Sequence, residues 1–351
     1  MAPRRKRTRD EPRDAHRSAQ SEENDASQPV LGGTRGADGV SGQPIKPDVV
    51  YDISDTTVVA ESFNVPFDQK TIVCQTWHHL EGARRTGSEP KLIFTHGAGA
   101  GLDSDSIVQF LSGFAQESSP VVGFNGSINL KSRVRAFKTV ISQQLDDSID
   151  SSSSSLMPLG GLSMGARAAV MTAQDQEGQR RSKELVLLSY PLVGASKGEI
   201  RDQILYNLSD DVDVLFVSGT NDGMCPISRL QDVRQRMKAR SWLIRVEGAD
   251  HGMKLKPKAA VEPVRRKCGA IAARWVREHD PERTECILSW DDERKMAIVN
   301  DWEKSELSKS AAGGSIRRPE ETQKSRKRPS PKSLEDTNEP PMSKRKTRAG
   351  G

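Results

Sequence analysis

Aromatic residues make up only 5 % of this 351-residue chain, and the hydrophobic share is 34 %. A fully globular chain of this length is usually more apolar. The deficit predicts a core diluted by segments that bury too little apolar surface to offset ordering entropy. Long apolar runs are missing as well. None approaches the roughly 18–20 residues of a membrane-spanning helix, so no membrane contact is expected. The opening stretch, MAPRRKRTRDEPRD, has no apolar segment, so no secretory signal is expected. Cysteine is scarce: Cys74, Cys225, Cys268 and Cys286 form no CxxC or Cys/His spacing. That predicts four reduced thiols in an intracellular protein. His78 and His79 are adjacent rather than four apart, so no metal or other cofactor is expected.

Charge is present but unevenly spread. The net charge is +5; residues 1–18 carry seven Arg/Lys against three acids, and residues 304–351 carry thirteen against six. Removing +4 and +7 from +5 leaves the middle at −6. The basicity belongs to the ends, which argues against a nucleic-acid groove on the middle. Residues 1–47 and 304–351 are expected to be disordered tails. The patterned part, 56–280, is expected to form one domain.

Within it, short apolar runs alternate with amphipathic stretches. Thr57–Phe67 and Lys70–Trp77 read as two strands of a hairpin. KLIFT (Lys91–Thr95) is a short strand that stops at a glycine loop. Ile107, Phe110, Leu111 and Phe114 mark one helix face, and Val134, Phe137, Ile141 and Leu145 another. Asp146–Ser155 is acidic and Ser-rich, as in a surface loop. Further strands are expected at Val121–Asn125, Leu156–Leu162, Glu184–Tyr190, Val212–Ser218 and Ser241–Glu247. Helices are expected at Ala166–Ala173, Pro226–Met237 and Ala259–Glu278. This alternation predicts an α/β fold with a mostly parallel central sheet and helices on both faces. Residues 281–303 are expected to add a short helix, with Met296, Val299 and Trp302 on one side.

The sharpest chemical signal is Gly161-Leu162-Ser163-Met164-Gly165. A G-x-S-x-G between an apolar strand and an Ala-rich helix predicts a sharp turn that exposes a nucleophilic serine. The bland alternative is a glycine-rich turn that merely packs tightly. A serine hydroxyl needs a base, and the base needs an orienting acid. In the order Ser…Asp/Glu…His, Asp222 follows the strand VDVLFVS and His251 follows SWLIRVE. Ends of parallel strands share one sheet edge, so the three can converge there. Asp222 also suits an ordinary T-N-D-G turn. Asp210, Asp211 and Asp213 precede their strand, and Asp250 adjoins the histidine. The loop His96-Gly97-Ala98-Gly99-Ala100-Gly101 is placed to donate to an oxyanion, with Gly97 and Ala98 and the Met164 amide as candidate donors. The same glycines match a dinucleotide fingerprint only loosely.

Six blocks carry a family resemblance: THGAGAG (95–101), VVGFN (121–125), GGLSMGARAA (160–169), SYPLVG (189–194), SGTNDGMCP (218–226) and EGADHGM (247–253). From Lys91 to about His279 the sequence resembles the α/β-hydrolase superfamily, near the dienelactone-hydrolase-like group. It most resembles the hydrolase-like family that includes testis-expressed protein thirty and subunit three of the NSL histone-acetyltransferase complex. The resemblance implies an α/β-hydrolase fold and a Ser163-Asp222-His251 triad. It also implies that one branch works inside a chromatin complex. Serine rather than cysteine at 163 points to ester or thioester chemistry.

Three basic clusters, RRKRTR (4–9), KSRKR (324–328) and KRKTR (344–348), suit a nuclear import receptor or loose contact of the tails with nucleic acid. A nuclear location is therefore expected, with a cytoplasmic one as the alternative. Two functions follow. One is a serine hydrolase of a small ester, thioester or amide. The other is an interaction module of a nuclear, chromatin-associated complex that needs no turnover.

Overall fold

The computed structural model describes residues 49–53, 56–80, 91–146, 156–175, 182–194 and 199–304. The expected tails (up to 47, and from 305 on), the three basic clusters and nearly all of the expected Asp146–Ser155 loop lie outside the described residues.

Among the described residues eleven strands form one sheet: β1 (Val49–Ile53), β2 (Thr56–Phe67), β3 (Lys70–His79), β4 (Leu92–Thr95), β5 (Val121–Phe124), β6 (Leu159–Leu162), β7 (Glu184–Leu188), β8 (Asp213–Gly219), β9 (Arg240–Val246), β10 (Glu285–Asp291) and β11 (Met296–Val299). Their spatial order is β1-β2-β3-β5-β4-β6-β7-β8-β9-β10-β11. The seven strands β4 to β10 pair in parallel with one another, while β1, β2, β3 and β11 join antiparallel. The helices are α1 (Asp105–Gln116), α2 (Leu130–Asp146), α3 (Met164–Gln174), α4 (Gln203–Tyr206), α5 (Ile227–Arg236) and α6 (Val261–Arg277).

The sheet separates two apolar clusters. One holds α1 and α6 residues such as Phe110, Phe114, Ile271 and Trp275 against Phe94, Leu215 and Trp242. The other holds α2, α3 and α5 residues such as Phe137, Val170 and Leu230 against Val122, Leu187 and Phe216. Helices on both faces explain why β8 is buried at every position, as strands covered on two sides must be. β3, nearer the edge, alternates buried and exposed residues over its first half.

Two sequence expectations change. Residues 281–303 form no helix. Cys286 and Leu288 are buried at a spacing of two, and β10 pairs in parallel with β9. Residues 292–295 turn the chain so that Met296 faces Asp291. The spacing of Met296, Val299 and Trp302 imitates a helical stripe, but the short-range period at 286–288 is that of a strand. The folded unit therefore continues through residue 304 rather than ending at 280. At the other edge it begins earlier than Thr56, with β1.

Candidate active site

Parallel strands bring their carboxyl ends to one edge, and the candidate residues lie there. Ser163 immediately follows β6, the glycine loop follows β4, Asp222 lies three residues past β8, and His251 five past β9.

Ser163 occupies a turn with φ 52° and ψ −108°, a conformation that costs an L-residue of order 1–3 kcal/mol. Neighbouring backbone enforces it. The Ser163 amide donates to the Leu188 carbonyl at 2.9 Å. The flanking glycines are required by space. A Cβ at Gly161 would meet the Gly165 carbonyl carbon at 2.3 Å, and one at Gly165 would meet the Thr95 oxygen at 2.4 Å.

The Ser163 hydroxyl lies 2.9 Å from His251 Nε2. His251 Nδ1 lies 2.9 Å from Asp222 Oδ2. A carboxylate can only accept, so Nδ1 carries the proton and Nε2 is left to accept from the serine. Asp222 is buried, at 2 % exposure, and its Oδ1 accepts the Met224 amide at 2.8 Å. The structure thus joins Ser163, His251 and Asp222 in one hydrogen-bonded chain.

The rival acids are engaged elsewhere. Asp250 Oδ1 accepts the amides of Gly252 and Lys254 at 2.8 and 2.9 Å. Asp213 pairs with Arg240 and His279 at the far end of β8. Asp211 pairs with Lys183, and Asp210 accepts from Ser209.

The glycine loop touches the Gly161–Gly165 turn, the elbow that carries Ser163. A Cβ at Gly97 would lie 3.5 Å from the Leu162 oxygen and 3.6 Å from Ser163 Cβ. Among the described residues, the amides of Gly97 and Ala98 donate to no backbone carbonyl. The Met164 amide opens α3, where an N–H has no partner within the helix. The loop makes a poor phosphate cradle, because Asp103 and Asp105 put negative charge at the start of the following helix. Among the described residues no group of three or more His, Cys, Asp or Glu could hold a metal ion.

A model of α/β-hydrolase domains matches residues 88–267, just over half of the chain. The chain belongs to the α/β-hydrolase family. Among solved structures it is similar to Est1E from Butyrivibrio proteoclasticus, with 14 % identity and a TM-score of 0.48 over 62 % of this chain and 99 % of that one. It is similar to an alpha-beta serine hydrolase homologue from Coxiella burnetii (12 %, 0.42, covering 65 % and 98 %). It is also similar to the esterase domain of a Rhodothermus marinus protein (14 %, 0.44, covering 62 % and 99 %).

The loops of this α/β-hydrolase domain are tied to each other by residues beside the candidate Ser163, Asp222 and His251, among them Arg265, which lies outside every sequence block. The Asp222 and His251 loops share bonds from the Asn221 amide to the Ala249 oxygen at 2.9 Å and from the Gly248 amide to Thr220 Oγ1 at 2.9 Å. Arg265, on α6, reaches behind the histidine loop, donating to the Gly252 and Met253 oxygens at 2.8 and 3.0 Å. Asn125 Oδ1 accepts the Leu102 amide at 3.0 Å, fixing the glycine loop to the end of β5. The Arg265 contacts go to main-chain atoms, so no spacing pattern announces them.

Cys74, Cys225, Cys268 and Cys286 are free and buried. Burial pushes all four thiols up, those of Cys74, Cys225 and Cys286 to about 12. They are protonated and poorly nucleophilic at neutral pH.

Proposed function

We propose that this domain is a serine hydrolase acting on a small ester, thioester or amide. The observation that carries the reading is the chain from Ser163 Oγ to His251 to buried Asp222, with the two outer distances both 2.9 Å. A buried carboxylate, an imidazole and a serine in that order have a definite chemical use.

In this reading Ser163 Oγ attacks the acyl carbon and its proton passes to His251 Nε2. Asp222 stays ionised and stabilises the imidazolium. The amides of Met164, Gly97 and Ala98 face the oxyanion. Collapse of the tetrahedral species breaks the bond to the leaving alkoxide, thiolate or amine, which takes the proton from Nε2. Water then attacks the acyl-serine, giving its proton to Nε2. Release of the acid returns that proton to Ser163 Oγ. The strained Ser163 backbone suits this use, since it lifts the hydroxyl clear of the sheet edge.

Turnover of p-nitrophenyl acetate, an acyl thioester and an anilide by the folded chain tests the proposal. Hydrolysis of at least one, lost in Ser163→Ala without change in melting temperature, is the expected result. Equal rates for wild type and Ser163→Ala sink it.

A further inference from the structure

Arg133 lies on α2 and is fully buried, yet it pairs with no carboxylate among the described residues. All of its hydrogen bonds go to backbone carbonyls. Nε donates to the Ser127 oxygen at 2.8 Å, and Nη2 to the Gly126 oxygen at 2.9 Å. Nη1 donates to the Gly97 oxygen at 3.4 Å and to the His96 oxygen. A buried guanidinium without a counter-charge is costly to desolvate, and only its bonds to these carbonyls offset that cost.

Peptide geometry gives this cost a use. In a trans peptide the C=O and N–H point in opposite directions. The carbonyls of His96 and Gly97 point at Arg133, so the N–H groups of Gly97 and Ala98 point away from it. Gly97 lies directly beside the Ser163 Cβ. A positive charge on the carbonyl side also polarises each peptide, which strengthens its N–H as a donor.

His96 locks the same two loops. Its Nδ1 donates to the Gly97 oxygen at 2.7 Å, and its Nε2 accepts the Gly126 amide at 3.0 Å. Accepting the Gly126 amide at Nε2 requires a neutral imidazole. Burial first, and then the charge of Arg133, hold its pKa below the ordinary value. Burial lowers Arg133 only to about 10, which leaves it charged at neutral pH.

We infer that Arg133 is the positioning residue of the oxyanion pocket: it holds the carbonyls of His96 and Gly97 so that the Gly97 and Ala98 amides present to the transition-state oxygen. The inference rests on the serine-hydrolase reading of Ser163. Arg133 does not touch the reacting atoms and acts through two peptide groups.

The test compares wild type with Arg133→Met, Arg133→Lys and Gly126→Ala. A Cβ at Gly126 would lie 2.6 Å from Arg133 Nε and 2.9 Å from its Cγ. That variant therefore displaces the guanidinium without removing its charge. The readouts are the rate of fluorophosphonate labelling of Ser163, kcat and KM on the best ester, the inhibition constant of phenylboronic acid, and the melting temperature. Removing one oxyanion donor typically costs about 10²–10³ in kcat. Arg133→Met is expected to lower kcat and labelling about 100-fold and to weaken boronate in proportion, with KM within about threefold, as expected for a loss confined to the transition state. Arg133→Lys is expected to recover part of the loss. If Arg133→Met does not fold, Gly126→Ala is expected to show the same kcat-selective loss at about tenfold. Labelling, kcat and boronate affinity that stay at wild-type values in a folded Arg133→Met or in Gly126→Ala overturn the inference while leaving the serine-hydrolase reading intact. A wild-type chain that takes no label on Ser163 overturns that reading instead, and this inference with it.

Discussion

Ser163 Oγ and His251 Nε2 stand 2.9 Å apart although 88 positions separate them in the sequence. The sheet closes that gap. β6 and β9 are held in register by β7 and β8 between them, so their two following loops meet at one edge. Asp222, on the loop after β8, then reaches the other nitrogen of the same ring.

Asp222→Asn should leave the fold intact and remove most activity. The amide keeps an oxygen for the Met224 N–H but offers a donor or a weaker acceptor to His251 Nδ1, favouring the wrong tautomer. A fall in kcat of about 10³–10⁴ is expected. Steady-state kinetics and near-UV circular dichroism on the same sample check it.

Gly165→Ala should destabilise the protein by about 1–3 kcal/mol, because the added Cβ meets the Thr95 backbone, which cannot swing away. Gly223→Ala is the matched control. No atom lies within 4 Å of the Cβ that substitution would add, so a change within about 0.5 kcal/mol is expected. Denaturant unfolding of both variants distinguishes a true packing requirement at the elbow from a general cost of replacing glycine.

Glu285→Ala should cost about 3 kcal/mol, although Glu285 lies past the boundary that the sequence suggested. Its carboxylate accepts from Arg234 Nη1 at 2.7 Å, and the Arg234 side chain is 2 % exposed. Removing the acid leaves a buried cation without its counter-charge. The bonds from Arg234 to Ser241 and to the Thr284 oxygen remain and moderate the loss. Urea unfolding gives the value.

Glu184 and His279, at the sheet edge opposite the active site, should lower stability as pH rises from about 5 to 8, against the opposite contribution of the buried His96, whose pKa is held below the ordinary value. Burial pushes the Glu184 carboxyl up to about 7; the charge of His279 opposes this and that of Asp213 adds to it. Burial opposes charging His279, but its bonds to Asp213 and the Trp275 oxygen and the charges of Asp213 and Glu184 leave its pKa above the ordinary value. Both groups bind a proton more tightly folded than unfolded. Their contribution is therefore complete below the unfolded values and is lost as pH climbs through the folded ones. Melting temperature against pH checks this, and Glu184→Gln should flatten the part of the curve below about pH 7.

The fold and the geometry of the candidate site were unequally legible in the sequence. The elbow could be read because strand, glycine spacing and small-residue helix all sit within 159–174. The convergence of Asp222 and His251 on Ser163 could be read because each follows an apolar strand closely. The hairpin at 285–299 could not, since Met296, Val299 and Trp302 match a helical spacing while the decisive pairing with β9 is non-local. β1 is only five residues long and, among the described residues, pairs with β2 alone. Arg133 and Arg265 were invisible for a different reason. Each acts on backbone carbonyls of loops distant in sequence, and backbone atoms carry no residue code.

The most direct test of the central claim is covalent. The folded chain is treated with a fluorophosphonate, and the adduct is located by mass spectrometry of its peptides. One adduct per chain on Ser163, absent from Ser163→Ala and strongly slowed in Asp222→Asn, is the predicted result. A folded wild-type chain that carries no adduct on Ser163 would contradict the account.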